Sequence, residues 1–441
     1  METEATARSV SIDILNEFDE TDYLDYSSAD DLDQRDRAEV REYVQNILRR
    51  RSYLDFLISQ FANVSLDEMK TQLKNILRLG VYDMVFMDST PDYAAINESV
   101  EIAKYSLGSR TGDLVNAILR NLQREKEKDQ LPKPNFKDRT KLIATTFSHP
   151  KWMVERWVKR FGEREAFQLM QANNKPPANY VRVNTLRTKA EYFKLRMEKN
   201  DVAFRESDWL PGYYEVDSVA PFINKGWIKK GFCWIQDIAA GFAPTALNPN
   251  PNESVYDFCA APGTKTVLLS GLMNGEGEIL AVDISGDRLE KLAENALAFQ
   301  AENIKVRRAD VRELELPETD AILLDAPCTG TGVLSKRADL RWRRDLEGLQ
   351  NAVELQKELL DSSAKMVKPG GRLVYSTCSL EEEENWGQVT NFLERHDNFE
   401  LESLEGYLPD EVLVEETKAY QTFPHKHNCD GHFGVRLKRV N

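Results

Sequence analysis

From Gln236 onward, short apolar segments alternate with longer helical segments, and this alternation restricts the fold more than any other feature of the sequence. Five segments are apolar strand candidates: SVYDF (254–258), EILAVD (278–283), IKVRRAD (304–310), DAILLD (320–325) and GRLVYS (371–376). Helical patterns lie between and after them, near 265–273, 286–300, 346–367 and 382–395. A strand–helix alternation of this kind predicts a doubly wound α/β fold with a mainly parallel sheet, whose ligands bind at the carboxyl ends of the strands.

The preceding part of the chain has a different pattern. Residues 40–124 carry apolar side chains at helical spacing, and no strand-like alternation interrupts them. Residues 124–138, with two prolines and mixed charges, read as a linker. A strand, a helix and a second strand follow. We therefore expect a multidomain chain with an all-α domain over 1–131, a small α+β subdomain over 141–235 and the α/β domain over 236–441.

Several classes of protein are disfavoured by simple counts. No apolar run reaches the ~18 residues that span a bilayer, and METEATARSV lacks the basic and apolar regions of a secretory signal. The five cysteines are odd in number and widely spaced, with no CxxC pair, which argues against a disulfide framework. We expect a cytoplasmic protein.

The charge of the chain is unevenly distributed. The formal net charge is −15, which alone argues against a nucleic-acid partner. Residues 1–40 and 381–417 carry −10 and −12 of it, so the remainder sums to +7. Its basic clusters are Arg49, Arg50 and Arg51; Arg182, Arg187 and Lys189; and Lys336, Arg337, Arg341, Arg343 and Arg344. Each cluster alone is typical of a solvated face, but together they permit RNA binding.

A loop between the first strand and its helix, DFCAAPGTKT (257–266), has the small residues that let a backbone approach a ligand. It is neither GxGxxG nor a Walker loop, so pyrophosphate binding is unsupported. Asp283 ends the next strand, twenty residues beyond Gly263, where an acid can bind a ribose diol. Asp310 and Asp325 end two further strands. Any one of these aspartates could be a helix cap or turn residue, but together they favour S-adenosylmethionine over a dinucleotide.

Cys328 and Cys378 also fall at predicted strand ends. Free cysteines are usually inert small apolar residues, but these two lie in polar turns rich in Gly, Ser and Thr. A methyl donor beside two thiols suits one chemical problem, because C5 of a pyrimidine is a poor nucleophile until a thiolate adds at C6. The adduct must then lose its C5 proton and expel the thiolate, a step that a second polar group can assist.

The motifs DFCAAPGTKT, DAPCTGTGVL and YSTCSLEEEEN, in this order, resemble those of the Fmu/Sun-type RNA (cytosine-5)-methyltransferases, which have Rossmann-like S-adenosylmethionine domains. The resemblance implies that Cys378 is the nucleophile and that Cys328 assists release of the methylated base. It implies that Asp325 faces both the base and the cofactor. It also implies a donor site formed by Cys259, Ala260, Ala261, Pro262, Gly263, Thr264, Lys265, Asp283 and Asp310.

The amino-terminal segments LRLGVYDMVFM, DYAAINESVEIAKY and GDLVNAILRNLQRE resemble the NusB-like RNA-binding domain. Its fusion to such a methyltransferase is the arrangement of the bacterial small-subunit ribosomal RNA cytosine-5 methyltransferases. The resemblance therefore implies a NusB-like domain over 1–131, an RNA-binding subdomain over 141–235 and a methyltransferase domain over 236–441. Its expected partner is 16S ribosomal RNA, and we expect a monomer.

Other functions compete with this interpretation. A transfer RNA cytosine-5 methyltransferase has the same chemistry, and a non-catalytic RNA-binding assembly factor could keep the fold, although both thiols are present. A thiol hydrolase needs a histidine base, and no strand-end motif contains one. The segment PHKHNCDGHF places four potential metal ligands within eight residues, but zinc sites draw ligands from two separated pairs. We therefore expect no metal at His425, His427, Cys429 and His432.

Overall fold

A computed structural model describes residues 6–87 and 90–440. Its helices are α1 (Ala7–Thr21), α2 (Gln34–Phe61), α3 (Thr71–Phe86), α4 (Asp92–Leu107), α5 (Ser109–Glu127), α6 (Arg139–Phe147), α7 (Lys151–Asn173), α8 (Ala190–Glu198), α9 (Ala220–Asn224), α10 (Ala239–Leu247), α11 (Thr264–Leu272), α12 (Gly286–Phe299), α13 (Leu340–Arg343), α14 (Leu346–Ala364), α15 (Trp386–Arg395) and α16 (Pro424–His427). Its strands are β1 (Asn179–Val183), β2 (Phe204–Glu206), β3 (Tyr213–Val216), β4 (Cys233–Ile235), β5 (Ser254–Phe258), β6 (Glu278–Asp283), β7 (Ile304–Arg308), β8 (Thr319–Asp325), β9 (Val367–Thr377), β10 (Phe399–Glu402), β11 (Leu413–Val414), β12 (Ala419–Gln421) and β13 (Phe433–Arg439). The chain forms two compact units, one of residues 1–175 with 334–343 and the other of residues 176–333 with 344–441.

The described part of the first unit is helical throughout, as the sequence predicts. The apolar stripes become its core, and Val44, Ile47 and Leu48 are almost fully buried. Side chains cap the helix starts: the Asp33 carboxylate accepts the Asp36 amide at 2.8 Å at the beginning of α2. Helices α6 and α7 belong to this unit, whereas the sequence pattern placed the start of the second domain at residue 141.

The segment Leu334–Arg343 packs in the helical unit although it lies far along the chain. Its anchor is the fully buried guanidinium of Arg341, which donates to the carbonyl oxygens of Arg49 (3.1 Å), Ser148 (2.9 Å) and Asn173 (3.2 Å). Burial lowers the pKa of Arg341 to about 9. Because these acceptors are backbone carbonyls, the charge is held by hydrogen bonds to peptide dipoles.

The second unit begins with a small antiparallel sheet of order β2-β3-β1-β4. Helices α8 and α9 contribute Phe193 and Phe222 to its core, which also includes Val181 and Cys233. This is the small α+β architecture that the sequence predicts.

The remaining strands form one large sheet of order β11-β12-β13-β9-β8-β5-β6-β7. The five strands predicted from the sequence, β5 to β9, pair in parallel. Beyond β9 the sheet continues through antiparallel pairings to β13 and β12, and β10 also pairs with β13. The Rossmann-like α/β fold is confirmed, as a mixed sheet whose central part is parallel.

The strand order reverses at β5, which has β6 on one side and β8 on the other. Chain connections leave this point in opposite directions, so a crevice opens at the carboxyl ends of the strands. The loops after β5, β6, β8 and β9 are thereby brought to one edge of the sheet. No helix in the described part of the chain is long and apolar enough to cross a membrane.

Candidate functional site

The loop after β5, Cys259–Lys265, turns sharply into α11. Cys259 and Gly263 both have left-handed backbone conformations, with φ of 59° and 95°. A Cβ at residue 263 would lie 2.5 Å from Leu292 Cγ, so only glycine fits this packing. The guanidinium of Arg288 donates to the Ala261 carbonyl, and the Asn295 amide donates to that of Pro262 at 2.9 Å. The loop is therefore fixed from outside by α12.

Asp283 lies beside this loop at the end of β6. Its carboxylate accepts the backbone amides of Ala261 (3.1 Å) and Ser285 (3.0 Å), and its side chain is almost fully buried. The next residue, Ile284, is 64% exposed. An oriented carboxylate next to an exposed apolar side chain fits a nucleoside, with the diol on Asp283 and a base against Ile284. These residues therefore fit the S-adenosyl group of the expected cofactor.

Asp310 is held differently from Asp283. Its carboxylate accepts from the Arg312 guanidinium at 2.7 Å and 3.0 Å and from the Arg312 amide at 2.9 Å. The hydrogen bonds from Arg312 lower the pKa of Asp310. Because Arg312 already occupies both carboxylate oxygens, the acceptor capacity left to Asp310 is smaller than that of an unpaired acid.

Asp325, at the end of β8, forms an ion pair with Lys265 of the β5 loop. Its carboxylate also accepts the Ser376 hydroxyl at 2.9 Å. Burial would raise the pKa of this carboxyl, but the Lys265 ammonium, together with His432 and the Ser376 hydroxyl, outweighs burial and the pKa is lowered. Beneath the pair, fully buried Asp257 accepts from Thr266 at 2.6 Å, and burial raises its pKa to about 7.

The two cysteines of the motifs after β8 and β9 face each other. Cys328 Sγ and Cys378 Sγ lie 3.3 Å apart, and both residues are partly exposed. The hydrogen bond to Cys378, together with burial, raises the pKa of Cys328 well above its ordinary value. At this separation Cys328, when protonated, can donate its S–H to Cys378.

Glycines allow the thiol loops to approach so closely. The Gly332 amide donates to the Cys378 carbonyl at 2.9 Å, and the Gly431 amide donates to the Gly332 carbonyl at 2.8 Å. A Cβ on Gly332 would lie 2.0 Å from the Gly431 carbonyl oxygen. The loops carrying Cys328, Cys378 and Asp430–Phe433 are thus in backbone contact.

The histidine-rich carboxy-terminal segment has other roles in the structure. His427 accepts the Phe423 amide at 2.8 Å, and its ring packs edge-on against Trp209 at 5.9 Å. Cys429 is buried, and His432 is buried close enough to Asp325 to lower the pKa of that carboxyl, although less than Lys265 does. Within residues 6–87 and 90–440, no group of three or more His, Cys, Asp or Glu side chains is arranged to hold a metal.

Some basic residues that the sequence offers to RNA are buried. Arg182 is 4% exposed, and its guanidinium donates to the Thr264 carbonyl of the donor loop at 3.2 Å. Arg49 and Arg341 lie inside the helical unit. The three basic clusters therefore offer fewer exposed charges to a phosphate than the sequence suggests, because charge in a sequence does not reveal burial. Arg187 and Lys189 are exposed, and Arg187 also donates to the Lys230 carbonyl at 2.6 Å.

Two features of the candidate site do not follow from the sequence pattern. The first is the ion pair of Lys265 with Asp325, since each residue was assigned on its own. The second is Glu384, whose buried carboxylate accepts the Thr329 amide at 2.7 Å. The run EEEEN, directly after the Cys378 loop in the third motif, is the one signal in the sequence for this acid.

Family models cover most of the chain. Residues 244–438 match the 16S rRNA methyltransferase RsmB/F model, and residues 5–124 match the NusB family. Residues 149–216 match the ferredoxin-like domain of RsmF/B-like methyltransferases.

Curated proteins match over nearly the full length. A probable ribosomal RNA small subunit methyltransferase B of Synechocystis is 32% identical over 414 residues, covering 92% of each chain. The Bacillus subtilis protein with the same description is 31% identical and covers 93% of this chain and 92% of its own. A crystal structure of a protein named PH0851 superposes with a TM-score of 0.81 at 25% identity and covers 100% of both chains.

Proposed function

This chain belongs to the RsmB/F family of 16S rRNA methyltransferases, and we propose that it methylates C5 of a cytosine through a covalent adduct between Cys378 and C6. Membership of this family supports an S-adenosylmethionine-dependent methyltransferase that acts on ribosomal RNA. The names of the relatives favour small-subunit ribosomal RNA over the transfer RNA alternative. The observation that supports a covalent adduct at C6, and hence methylation at C5, is the 3.3 Å separation of Cys328 Sγ and Cys378 Sγ.

We propose that the donor is held by the loop Cys259–Lys265, with the ribose on Asp283 and the adenine near Ile284 and Asp310. When bound, the cofactor supplies an electrophilic methyl group. Asp283 fits this role because its two oxygens are oriented by the amides of Ala261 and Ser285, so each keeps acceptor capacity for a hydroxyl. Arg182 supports the same loop from beneath through the Thr264 carbonyl.

The base must leave its stack to reach the thiols. The Cys378 thiolate then attacks C6 and forms the C6–S bond, the C5–C6 π bond breaks as its electron pair moves towards C5 and N3, and C5 becomes an enamine carbon that can take the methyl group. Asp325, three residues before Cys328, offers a carboxylate to the amino edge of cytosine and is kept ionised by Lys265. Thiolate addition pushes negative charge towards C5 and N3, so it is favoured when N3 takes up a proton, and the Asp325 carboxylate can accept hydrogen bonds from that N–H and from the N4 amino group.

After C5 takes the methyl group, the adduct must lose its C5 proton to a base. The electron pair from that C–H bond re-forms the double bond, and the C6–S bond breaks with its electron pair going to Cys378. Cys328 assists this last step, because its S–H lies within hydrogen-bond distance of the departing sulfur. A donor that remains protonated at neutral pH stabilises the thiolate as it leaves.

Bisulfite sequencing of 16S rRNA tests the proposal. Cells lacking the gene should lose one methylated cytosine, and a plasmid copy should restore it, whereas a Cys378→Ala copy should not. A normal 5-methylcytosine pattern in the deletion strain, or restoration by Cys378→Ala, would contradict the proposal.

A further inference from the structure

Glu384 carries a carboxylate with no exposure to solvent. It ends a 3₁₀ turn, Glu382–Glu384, directly after the Cys378 loop. One carboxylate oxygen accepts the Thr329 amide at 2.7 Å and the Gln356 amide at 3.0 Å. The other accepts the hydroxyls of Thr329 and Ser379. All four donors are uncharged groups, so the carboxylate is stabilised by hydrogen bonds.

Three of the four donors belong to the residues that follow the two thiols. Thr329 comes directly after Cys328, and Ser379 comes directly after Cys378. A single carboxylate therefore binds both loops at once, one residue from each sulfur. The Thr329 and Ser379 hydroxyls are also within 3.2 Å of each other. This connection adds a buried charge to the other links between the two loops, among them the hydrogen bond from the Leu380 amide to the Thr331 hydroxyl at 2.8 Å.

The turn that carries Glu384 is itself held firmly. The Tyr375 hydroxyl donates to the Glu384 carbonyl at 2.7 Å. Asn385 accepts the Thr377 hydroxyl at 2.6 Å and donates to the Ser379 carbonyl at 2.8 Å. Because the backbone on both sides of the carboxylate is fixed, a change at this side chain is transmitted to the thiol loops and is not absorbed by the turn.

The negative charge of Glu384 acts on Cys328 as well. It is one of the causes that raise the pKa of Cys328, after the hydrogen bond to Cys378, burial and the charge of Cys378. A fixed anion close to a thiol disfavours the thiolate form. Burial raises the pKa of Glu384 itself, and the hydrogen bonds from Ser379, Thr329 and Gln356 oppose that rise. In its ionised form Glu384 adds a negative charge to the hydrogen-bond geometry, and both favour a protonated Cys328.

We propose that Glu384 is a positioning residue that holds the Cys328 thiol against the sulfur of Cys378. The inference rests on the proposed function, because a protonated Cys328 matters for expelling Cys378 from the methylated base. It adds a third group to the two cysteines, one that acts through Cys328 without touching substrate.

Alkylation of Cys328 tests the charge without RNA or cofactor. The rate of carbamidomethylation by iodoacetamide is followed across pH by mass spectrometry of the Cys328 peptide. Glu384→Gln removes the anion, so the Cys328 thiolate forms more easily. The pH at which the alkylation rate of Cys328 is half-maximal should therefore fall by at least half a unit. Glu382→Gln changes an exposed acid in the same turn and should leave the midpoint in place. An unshifted midpoint in Glu384→Gln would overturn the role of its charge.

Release of the adduct tests the geometry. In a single-turnover reaction, Glu384→Gln should transfer the methyl group and bind S-adenosylhomocysteine like the parent, but should retain at least tenfold more RNA covalently on denaturing gels. Glu384→Asp keeps the charge and shortens the reach, so it should restore the alkylation midpoint while adduct release stays slow. Release at the parental rate by both variants would overturn the positioning role.

A folding failure does not end the test. If Glu384→Gln does not melt cooperatively, Thr329→Val removes one hydroxyl donor with little change in shape. It should retain at least threefold more adduct than the parent, and parental release would overturn the inference. Should the parent make no 5-methylcytosine and Cys328→Ala trap no RNA, the proposed function itself fails. The alkylation midpoints would still decide whether Glu384 controls Cys328.

Discussion

The sulfur atoms of Cys328 and Cys378 lie 3.3 Å apart, although fifty residues separate them in the chain. Strands β8 and β9 are parallel neighbours, so their carboxyl ends, and the loops that follow, meet at the same edge of the sheet. Gly332 then lets the two loops make backbone contact. Thiols that face each other in polar loops are suited to share a proton, which buried apolar cysteines are not.

Replacing Asp283 should weaken donor binding. Asp283→Ala removes a carboxylate that is oriented by two amides, and hydrogen bonds to a charged group contribute about 1.5–3 kcal/mol. We expect S-adenosylhomocysteine to bind roughly 10- to 150-fold more weakly by calorimetry. Asp310→Ala should have a smaller effect because Arg312 already pairs with that acid. Asp287→Ala, an exposed acid at the start of α12, serves as the control. Equal affinity in Asp283→Ala and the control would remove Asp283 from the site.

Removing the charge of Lys265 should change the pH dependence of methylation. The ammonium lowers the pKa of Asp325, so Lys265→Met should let that pKa rise. The carboxyl then becomes protonated at higher pH than in the parent, and the acid limb of the kcat/KM profile should move to higher pH. Ser376→Ala removes a neutral donor and should move the limb less. A profile unchanged in Lys265→Met would mean that Asp325 does not act as an anion in the reaction.

The exposed and buried basic residues of the second unit should behave differently. Arg187→Glu with Lys189→Glu should lower RNA affinity and flatten its salt dependence, by roughly 0.7–0.9 in slope for each phosphate that is no longer neutralised. Arg182→Met should leave the salt slope unchanged and weaken S-adenosylhomocysteine binding, since Arg182 supports the Thr264 carbonyl. Filter binding at several salt concentrations measures the slopes. A flattened slope in Arg182→Met would show that this residue reaches phosphate after all.

Much of the fold can be predicted from the periodicity of apolar residues in the sequence. The five parallel strands appear as apolar segments with turn residues at their ends, and the helical unit appears as stripes at helical spacing, because each pattern follows from burying one face of one local element. The antiparallel extension through β13 and β12 is less visible. Its strands are short, and β13 (FGVRLKR) carries basic residues. One of them, Arg436, is buried, and its Nε donates to a carboxylate oxygen of Glu402 at 2.6 Å.

Only part of the candidate site can be predicted from the sequence, because periodicity locates strand ends but not the contacts between side chains. Cys328, Cys378 and Asp283 stand at strand ends, where the topology itself brings side chains together. The pairing of Lys265 with Asp325 and the placement of Arg182 under the donor loop depend on side-chain contacts between distant segments. Periodicity carries no information about such contacts. For the same reason the sequence does not distinguish buried Glu384 from its exposed neighbours Glu382 and Glu383.

Cys378 attacks C6 and Cys328 assists its release, and trapping of RNA by single variants tests these two roles most directly. The parent, Cys328→Ala, Cys378→Ala and the double variant are incubated with 16S rRNA fragments and S-adenosylmethionine, and covalent complexes are separated on denaturing gels. Cys233→Ala, a buried cysteine of the small sheet, controls for loss of packing.

Cys328→Ala should accumulate a complex that ribonuclease removes, because addition to C6 and methyl transfer proceed while release is slow. Cys378→Ala and the double variant should form none. A complex that accumulates in Cys378→Ala but not in Cys328→Ala would reverse the assigned roles. Normal methyl transfer by Cys378→Ala would contradict covalent catalysis altogether.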